Sequence, residues 1–231
     1  MNEQDYLQLS WQEENRPYSR YFEDHFYSQK DGRAETVHVF LSGNNLPQRW
    51  QFYNSFQLAE LGFGTGLNFL ETWRYWRRHR SPGQHLNFTS FEAYPLTADD
   101  IIRAISAWPG LAELAAALVK HMPALASTPV TWELDAQTTL MIVRAPALEG
   151  VRCWHKKAHA WYLDGFSPSC NRDMWSSELM AEVYTHTHTN GTFATYTAAG
   201  WVRRNLQASG FIVKKVPGHA GKRHMLTGVR K

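Results

Sequence analysis

Cysteine is scarce: the 231 residues hold only Cys153 and Cys170. That excludes a disulfide framework and points to a reducing compartment. Long apolar runs are lacking as well. No stretch reaches the roughly 18 residues that a membrane-spanning helix needs. The opening Met1-Asn2-Glu3-Gln4-Asp5 is polar and acidic, unlike a secretory leader. A cytoplasmic location is therefore expected. Excess charge of one sign is also missing. With a net charge of +3, partners can be read only from how the charges cluster. Metal-ligand spacing is incomplete. Cys153, His155 and His159 have no second paired element that would make four tetrahedral ligands, and His186 and His188 stand among threonines at a solvated helix end. No metal is expected, and no internal repeat or low-complexity tract occurs.

What is present is material for a large core: 43% apolar residues and ten tryptophans. Residues 1–53 read as an N-terminal β-hairpin extension packed on the core, with strands at 25–27 and 35–41 and a turn at 29–32. Residues 54–231 alternate strands and helices. Strands are expected at 56–61, 85–92, 130–134, 139–143, 158–163, 192–197, 211–216 and 224–229. Helices are expected at 67–80, 98–107, 111–121 (ended by Pro123), 175–184 and 198–209, and Asn190-Gly191 reads as a turn. Such alternation predicts an α/β fold, a mostly parallel sheet with helices on both faces and an antiparallel closing strand.

The chain is organised around the turn after the first of these strands. Gly62, Gly64 and Gly66 alternate between an apolar run and an amphipathic helix, so backbone without Cβ atoms meets a helix N-terminus. This is a ligand-binding turn, with Phe63, Thr65 and Asn68 beside the glycines. The G-x-G-x-G spacing departs from the dinucleotide G-x-G-x-x-G. Glu60 also stands just before the first glycine, where it would repel a pyrophosphate and suit an ammonium group such as that of S-adenosylmethionine. Glu92 closes the second strand, where an acid takes ribose hydroxyls; Tyr94 follows it. Asp164 leaves a buried strand into a Gly-containing turn. It is either a residue facing the ligand crevice or a turn former bonding its own backbone, and local sequence does not choose between them. Basic residues gather at Arg74, Arg77, Arg78 and Arg80 with Trp73 and Trp76, at Arg203-Arg204, at Lys214-Lys215 and at Lys222-Arg223. These are solvated faces or a phosphate-binding surface.

Together these stretches resemble a known family. The motifs are Glu60-Leu61-Gly62-Phe63-Gly64-Thr65-Gly66-Leu67-Asn68-Phe69, Ser90-Phe91-Glu92-Ala93-Tyr94-Pro95-Leu96-Thr97, Trp161-Tyr162-Leu163-Asp164-Gly165-Phe166 and Asn171-Arg172-Asp173-Met174-Trp175. They continue in Thr195-Tyr196-Thr197-Ala198-Ala199-Gly200-Trp201-Val202-Arg203-Arg204 and Gly221-Lys222-Arg223-His224-Met225-Leu226. The chain from about residue 18 onward resembles the methyltransferase half of the bacterial bifunctional tRNA-modification enzyme that makes 5-methylaminomethyl-2-thiouridine at the wobble position. The resemblance implies a Rossmann-like class I methyltransferase fold with S-adenosyl-L-methionine as cofactor. It also implies N-methylation of 5-aminomethyl-(2-thio)uridine in tRNA.

On this reading Glu60, Gly62, Phe63, Gly64, Thr65, Gly66, Asn68, Glu92, Tyr94 and Asp164 bind the cofactor, and Asp164 is also the catalytic residue. Tyr27, Phe166 and Trp175 wall the base pocket, and Arg203, Lys222 and Arg223 meet the tRNA. An FAD-dependent oxidoreductase domain or protein is the expected partner, since no second Gly-rich fingerprint is present. The chain departs from the family pattern in places. Arg144-Ala145-Pro146 stands where a Gly-Asp pair is usual, Ala93 where Lys is usual, Ser167-Pro168-Ser169-Cys170 for Ala-Pro-Ala-Lys, and His224 for Glu. A small-molecule or protein N-methyltransferase with the same cofactor site is the first alternative. A nicotinamide oxidoreductase is disfavoured by Glu60 and the glycine spacing. A cofactor-binding module with impaired activity is kept open by Arg144-Ala145-Pro146.

Overall fold

A computed structural model describes residues 7–28, 30–122 and 129–231. The central sheet begins with β4 (Ser55–Leu61), whose residues after Ser55 are all buried. Such a continuous buried run belongs in the middle of a parallel sheet covered on both faces. β5 (His85–Phe91) and β8 (Ala158–Leu163) flank it in parallel, followed outward by β7 (Thr138–Val143) and β9 (Thr187–Thr195). β6 (Val130–Asp135) closes one edge antiparallel, and β11 (His224–Val229) with β10 (Ile212–Pro217) closes the other. The full order is β10-β11-β9-β8-β4-β5-β7-β6. From β4 the chain steps outward to β5 and β7, then crosses back to β8 on the other side. Ligand crevices form at such a reversal, beyond the carboxyl ends of the strands.

Helices cover both faces. α2 (Leu67–His79) opens directly from the glycine turn. Thr97 caps α3 (Ala98–Ile105) by accepting from the Asp100 amide, and α4 (Ala112–Val119) packs beside it. Ser176 likewise caps α6 (Ser177–Thr185). α7 (Gly200–Ala208) precedes the closing strand pair. The short α5 (Ala147–Arg152), which the sequence did not announce, follows β7.

The N-terminal segment differs from expectation. It forms a small antiparallel sheet of β1 (Leu9–Gln12), β2 (Arg16–Ser19) and β3 (Asp24–His25), so Phe26 and Tyr27 lie outside any strand. The strand expected at 35–41 is helical. α1 (Gly32–Glu35) runs into a π-helical turn, Thr36–Leu41, and a 3-10 turn, Ser42–Asn44. β-branched composition favoured a strand there, but among the described residues no neighbouring strand pairs with it. Asp31 caps the helix start by accepting from the Ala34 amide, and Val39, Phe40 and Leu41 are buried in succession. Tertiary burial overrides β propensity. Gln29 of the expected turn and Pro123 lie outside the described residues. Asn190-Gly191 is no turn either: both sit within β9, where the pairing register shifts against β8.

The segment is anchored to the core. Val39, Phe40, Leu41, Leu46 and Trp50 share one apolar cluster with Phe56, Leu58, Phe69 and Trp76. Glu71, fully buried on α2, receives Arg33 Nε at 3.0 Å and Arg74. That pairing also removes Arg74 from the expected basic face. Arg80 pairs with Asp135 and Arg77 with Glu113. Trp73 and Trp76 are buried, so the 73–80 stretch is not a stacking surface.

Candidate active site

The carboxyl ends of β4, β5 and β8 meet in a cavity of about 430 Å³. The 62–66 turn forms its floor. Gly62, Gly64 and Gly66 all have positive φ, at 80°, 51° and 73°, a region that side chains with a Cβ rarely adopt. A Cβ on Gly64 would meet the Phe26 ring at 3.4 Å, so a larger residue there would press on a ring that itself lines the cavity.

Three carboxylates converge here. Glu60 is fully buried beneath the cavity. Its Oε2 accepts from the Ser90 hydroxyl at 2.8 Å, while Oε1 has no hydrogen-bond partner. Burial, with the negative charge of Asp164, holds its pKa well above the usual carboxylate range. Glu92 receives the Gly64 amide at 2.8 Å on Oε2 and the Tyr94 amide at 2.7 Å on Oε1. Burial raises its pKa and these amides oppose the shift. Asp164 lines the cavity wall and accepts from Asn68 Nδ2 at 2.7 Å. Burial raises it to about 7, opposed by the Gly165 amide, Asn68 and the charge of Lys222, and reinforced by the charge of Glu35.

A buried acid oxygen without a partner and three carboxylates raised by burial all favour a cationic ligand, whose charge would return them to the ionised state. The Cβ-free backbone of Gly62 and Gly64 in the cavity lining suits a ligand lying along the turn. This is a fit for a sulfonium nucleoside with an amino-acid end. It is a poor fit for a pyrophosphate.

Residues 109–231 match the family described as S-adenosyl-L-methionine-dependent methyltransferase. The chain belongs to this family. S-adenosylmethionine is accordingly its cofactor. Two curated relatives are bifunctional proteins of tRNA 5-methylaminomethyl-2-thiouridine biosynthesis, called MnmC. One, from Hahella chejuensis, is 41% identical over 97% of this chain and 37% of its own length. Another, from Methylobacillus flagellatus, is 42% identical over 95% of this chain and 34% of its own. The chain thus spans about a third of the curated relatives it matches, and these matches bear out the resemblance read from the motifs. Among solved structures, MnmC2 from Aquifex aeolicus superposes with a TM-score of 0.77 at 17% identity, covering 95% of this chain and 69% of that one. Spermidine synthase from Thermotoga maritima superposes at 0.50 with 12% identity, covering 96% and 70%. At those identities the likeness concerns the fold, and it agrees with the class I α/β architecture expected.

The cavity gathers most of the residues singled out in sequence: Tyr27, Gly62, Phe63, Gly64, Thr65, Asn68, Glu92, Tyr94, Asp164, Phe166 and Lys222 all line it. Others lie elsewhere. Glu60 sits behind the wall. Gly66 caps α2, with the Phe63 ring and Leu118 against it. Trp175 is fully buried among Leu179, Val202 and Phe193, so it cannot stack on a base. Its indole N–H donates to the Phe166 carbonyl at 3.0 Å instead and steadies the aromatic residue that does face the cavity. Arg203 on α7 and the exposed Arg223 are outside the lining.

Several lining residues were missed, among them Phe22, Phe26, Glu35 and Tyr196. Phe22 stacks on Phe166 at 4.6 Å, and Phe26 meets the same ring edge-on at 5.1 Å. Tyr196 donates its hydroxyl to the Gly165 carbonyl at 2.9 Å. Glu35 pairs with Lys222 at 2.9 Å. Phe22 was visible only as an aromatic in the N-terminal extension, and Phe26 and Glu35 each lay in a stretch read as a strand.

Proposed function

We propose that the chain N-methylates the aminomethyl group of 5-aminomethyl-(2-thio)uridine at the tRNA wobble position, giving 5-methylaminomethyl-(2-thio)uridine. The observation that carries this reading is Asp164: a carboxylate raised by burial to about 7, on the wall of the cavity that the glycine turn and Phe166 also line. The relatives' role in 5-methylaminomethyl-2-thiouridine biosynthesis supports the same substrate.

When bound, S-adenosylmethionine supplies an electrophilic methyl group on a sulfonium. The 62–66 turn and Asn68 hold its amino-acid end, with Glu60 behind them as the counter-charge, and Glu92 takes the ribose hydroxyls while Tyr94 borders the base. Asp164 accepts a hydrogen bond from the substrate amine, aims the nitrogen lone pair, and accepts the proton the nitrogen must lose. A carboxylate near pKa 7 does this better than an ordinary one at neutral pH. Holding nitrogen and methyl in line supplies much of the remaining acceleration. Phe166, stacked on Phe22, and Tyr27 wall the flipped uracil. Tyr27 is itself held by a bond from its hydroxyl to the Ala104 carbonyl at 3.2 Å. Lys222, Arg223 and Arg203 face the tRNA backbone.

The same reading places the reaction in the cytoplasm; none of the described helices is long and apolar enough to cross a membrane. It takes an FAD-dependent oxidoreductase domain or protein as the partner in the pathway. The test is to incubate the chain with methyl-labelled S-adenosylmethionine and tRNA carrying 5-aminomethyluridine, then digest to nucleosides. Label in 5-methylaminomethyluridine supports the reading. Cofactor binding without transfer to that nucleoside overturns it.

A further inference from the structure

We propose that Glu35 and the ring face of Tyr196 form a binding site for the substrate's primary ammonium, and that Lys222 occupies this site as a stand-in until RNA arrives. The inference rests on the amine substrate proposed above. Its geometry comes from three residues of the cavity lining. Lys222 Nζ lies 2.9 Å from a Glu35 carboxylate oxygen and 4.3 Å from the centroid of the Tyr196 ring. A carboxylate and an aromatic face around one N⁺ are the two groups that best hold an alkylammonium.

The two partners are not equivalent. Glu35 has a side-chain exposure of 12% and Lys222 of 45%, so the acid belongs to the wall while the lysine reaches in from the mouth. Glu35 is fixed at the end of α1. Lys222 comes from the connection between β10 and β11, where Ala220 and Gly221 both take left-handed backbone, with φ of 50° and 89°. Tyr196 is fixed through its hydroxyl on the Gly165 carbonyl, next to Asp164. Glu35, Tyr196 and Lys222 line the same cavity as Asp164, the residue assigned to the chemistry.

A lysine side chain and an aminomethyl group end in the same chemical group. Exchanging one for the other conserves the charge, the hydrogen bond to Glu35 and the contact with Tyr196, so the exchange itself is close to neutral. What tips it is the new partner for the freed lysine. Arg223 is exposed beside it, and Lys30 Nζ lies 3.9 Å from where a Gly221 Cβ would be. An RNA phosphate at this mouth would meet three cations once Lys222 swings out. A uridine without the aminomethyl group offers nothing to replace the ammonium, so Glu35 would either keep the lysine or stand unpaired. The pair therefore acts as a selector for amine-bearing substrate.

Two anticodon stem-loop RNAs, one with 5-aminomethyluridine and one with uridine, test this. The readout is the ratio of their dissociation constants. The unaltered chain should prefer the amine-bearing RNA. Glu35→Gln should lower that preference at least tenfold. Lys222→Met, which keeps an apolar stem on Tyr196, should weaken both RNAs while retaining the preference or raising it a few-fold. S-adenosylmethionine affinity within twofold of the parent checks that each variant is intact. A parental ratio of one overturns the substrate reading, and this inference with it. A parental preference that survives Glu35→Gln, or that Lys222→Met abolishes equally, overturns the inference alone and leaves the pair as a brace.

A measurement on the unaltered chain covers the case in which Glu35→Gln does not fold. Lysines carrying ¹³C-methyl groups on Nζ are observed by NMR, and Lys222 is assigned by the signal missing in Lys222→Arg. Its resonance should be ring-shifted by Tyr196 and should move to the exposed-lysine position with the amine-bearing RNA only. A resonance unmoved by bound amine-bearing RNA overturns the exchange.

Discussion

Asn68 Nδ2 donates to Asp164 Oδ2 at 2.7 Å, joining the first turn of α2 to the end of β8 across the ligand crevice. The amide is held in that orientation because its own oxygen accepts from the Thr36 hydroxyl, also at 2.7 Å. Asn68 therefore favours the ionised form of Asp164 against the burial that raises it.

Replacing Asn68 by Ala should move the Asp164 pKa further above 7. The acid limb of methyl transfer should then shift to higher pH. Single-turnover rates at saturating cofactor, measured from pH 5.5 to 9, would show it. A limb that stays where the parent's lies would mean that another group titrates.

On the proposed reading, cofactor binding depends on backbone at Gly64 and on the Glu92 carboxylate, which receives the Gly64 amide. Gly64→Val puts a branched side chain on a φ of 51° and against the Phe26 ring of the cavity lining, so calorimetry should find S-adenosylmethionine binding lost. Glu92→Ala removes a ligand contact and also releases the amides of Gly64 and Tyr94, and affinity should fall by about 1–3 kcal/mol, the cost of losing hydrogen bonds to a charged group. Parental affinity in both would place the cofactor elsewhere.

Much of this was legible because the informative residues sit in regular contexts. Glu60, Glu92 and Asp164 each close a strand whose apolar run is visible, and a parallel sheet aligns such strand ends by itself. The glycine turn is legible for the same reason. The far wall was not. Phe22, Phe26 and Glu35 reach the cavity from a segment whose path is set by burial against α2, through Val39, Phe40 and Arg33, and not by local propensity. Trp175 shows the opposite failure: an aromatic in a motif was taken for a stacking surface, whereas its ring fills the core and only its N–H serves the site. Lys222 read as a surface cation because sequence separation hid Glu35, 187 residues away.

That division of labour among the aromatics can be tested. Trp175→Phe removes the bond to the Phe166 carbonyl and leaves a gap in the core, so it should destabilise the fold by about 1–3 kcal/mol. Parental cofactor affinity is expected for it. Phe22→Ala removes the ring stacked on Phe166 and should raise the KM for tRNA several-fold with little change in kcat. Thermal melts and steady-state kinetics separate the two; a Trp175→Phe variant that alters only substrate KM would restore the tryptophan to the pocket.

Asp164→Asn tests both the chemistry and the electrostatics, since it keeps the size while removing the charge. The ordinary value for an aspartate is 3.8, and in the folded chain Asp164 titrates near 7. Between those values the native state holds the proton more tightly than the unfolded chain, so unfolding releases it and stability falls as pH rises through this window. Above pH 7 the native state carries the full cost of a buried charge, and below about pH 4 it carries none. Asn cannot ionise. Without cofactor, its melting temperature should therefore match the parent's near pH 4, exceed it increasingly up to pH 7, and stay higher beyond. Methyl transfer should move the other way. Losing a positioned acid–base group should slow single turnover by roughly 10²-fold or more, and the loss should shrink as pH rises and free amine becomes abundant. A variant that gains stability at pH 8 yet methylates at the parental rate would leave Asp164 as a buried turn residue with no part in the reaction. One that slows at every pH without the stability gain would show that its carboxylate is ionised at neutral pH by a partner other than Asn68 and Gly165.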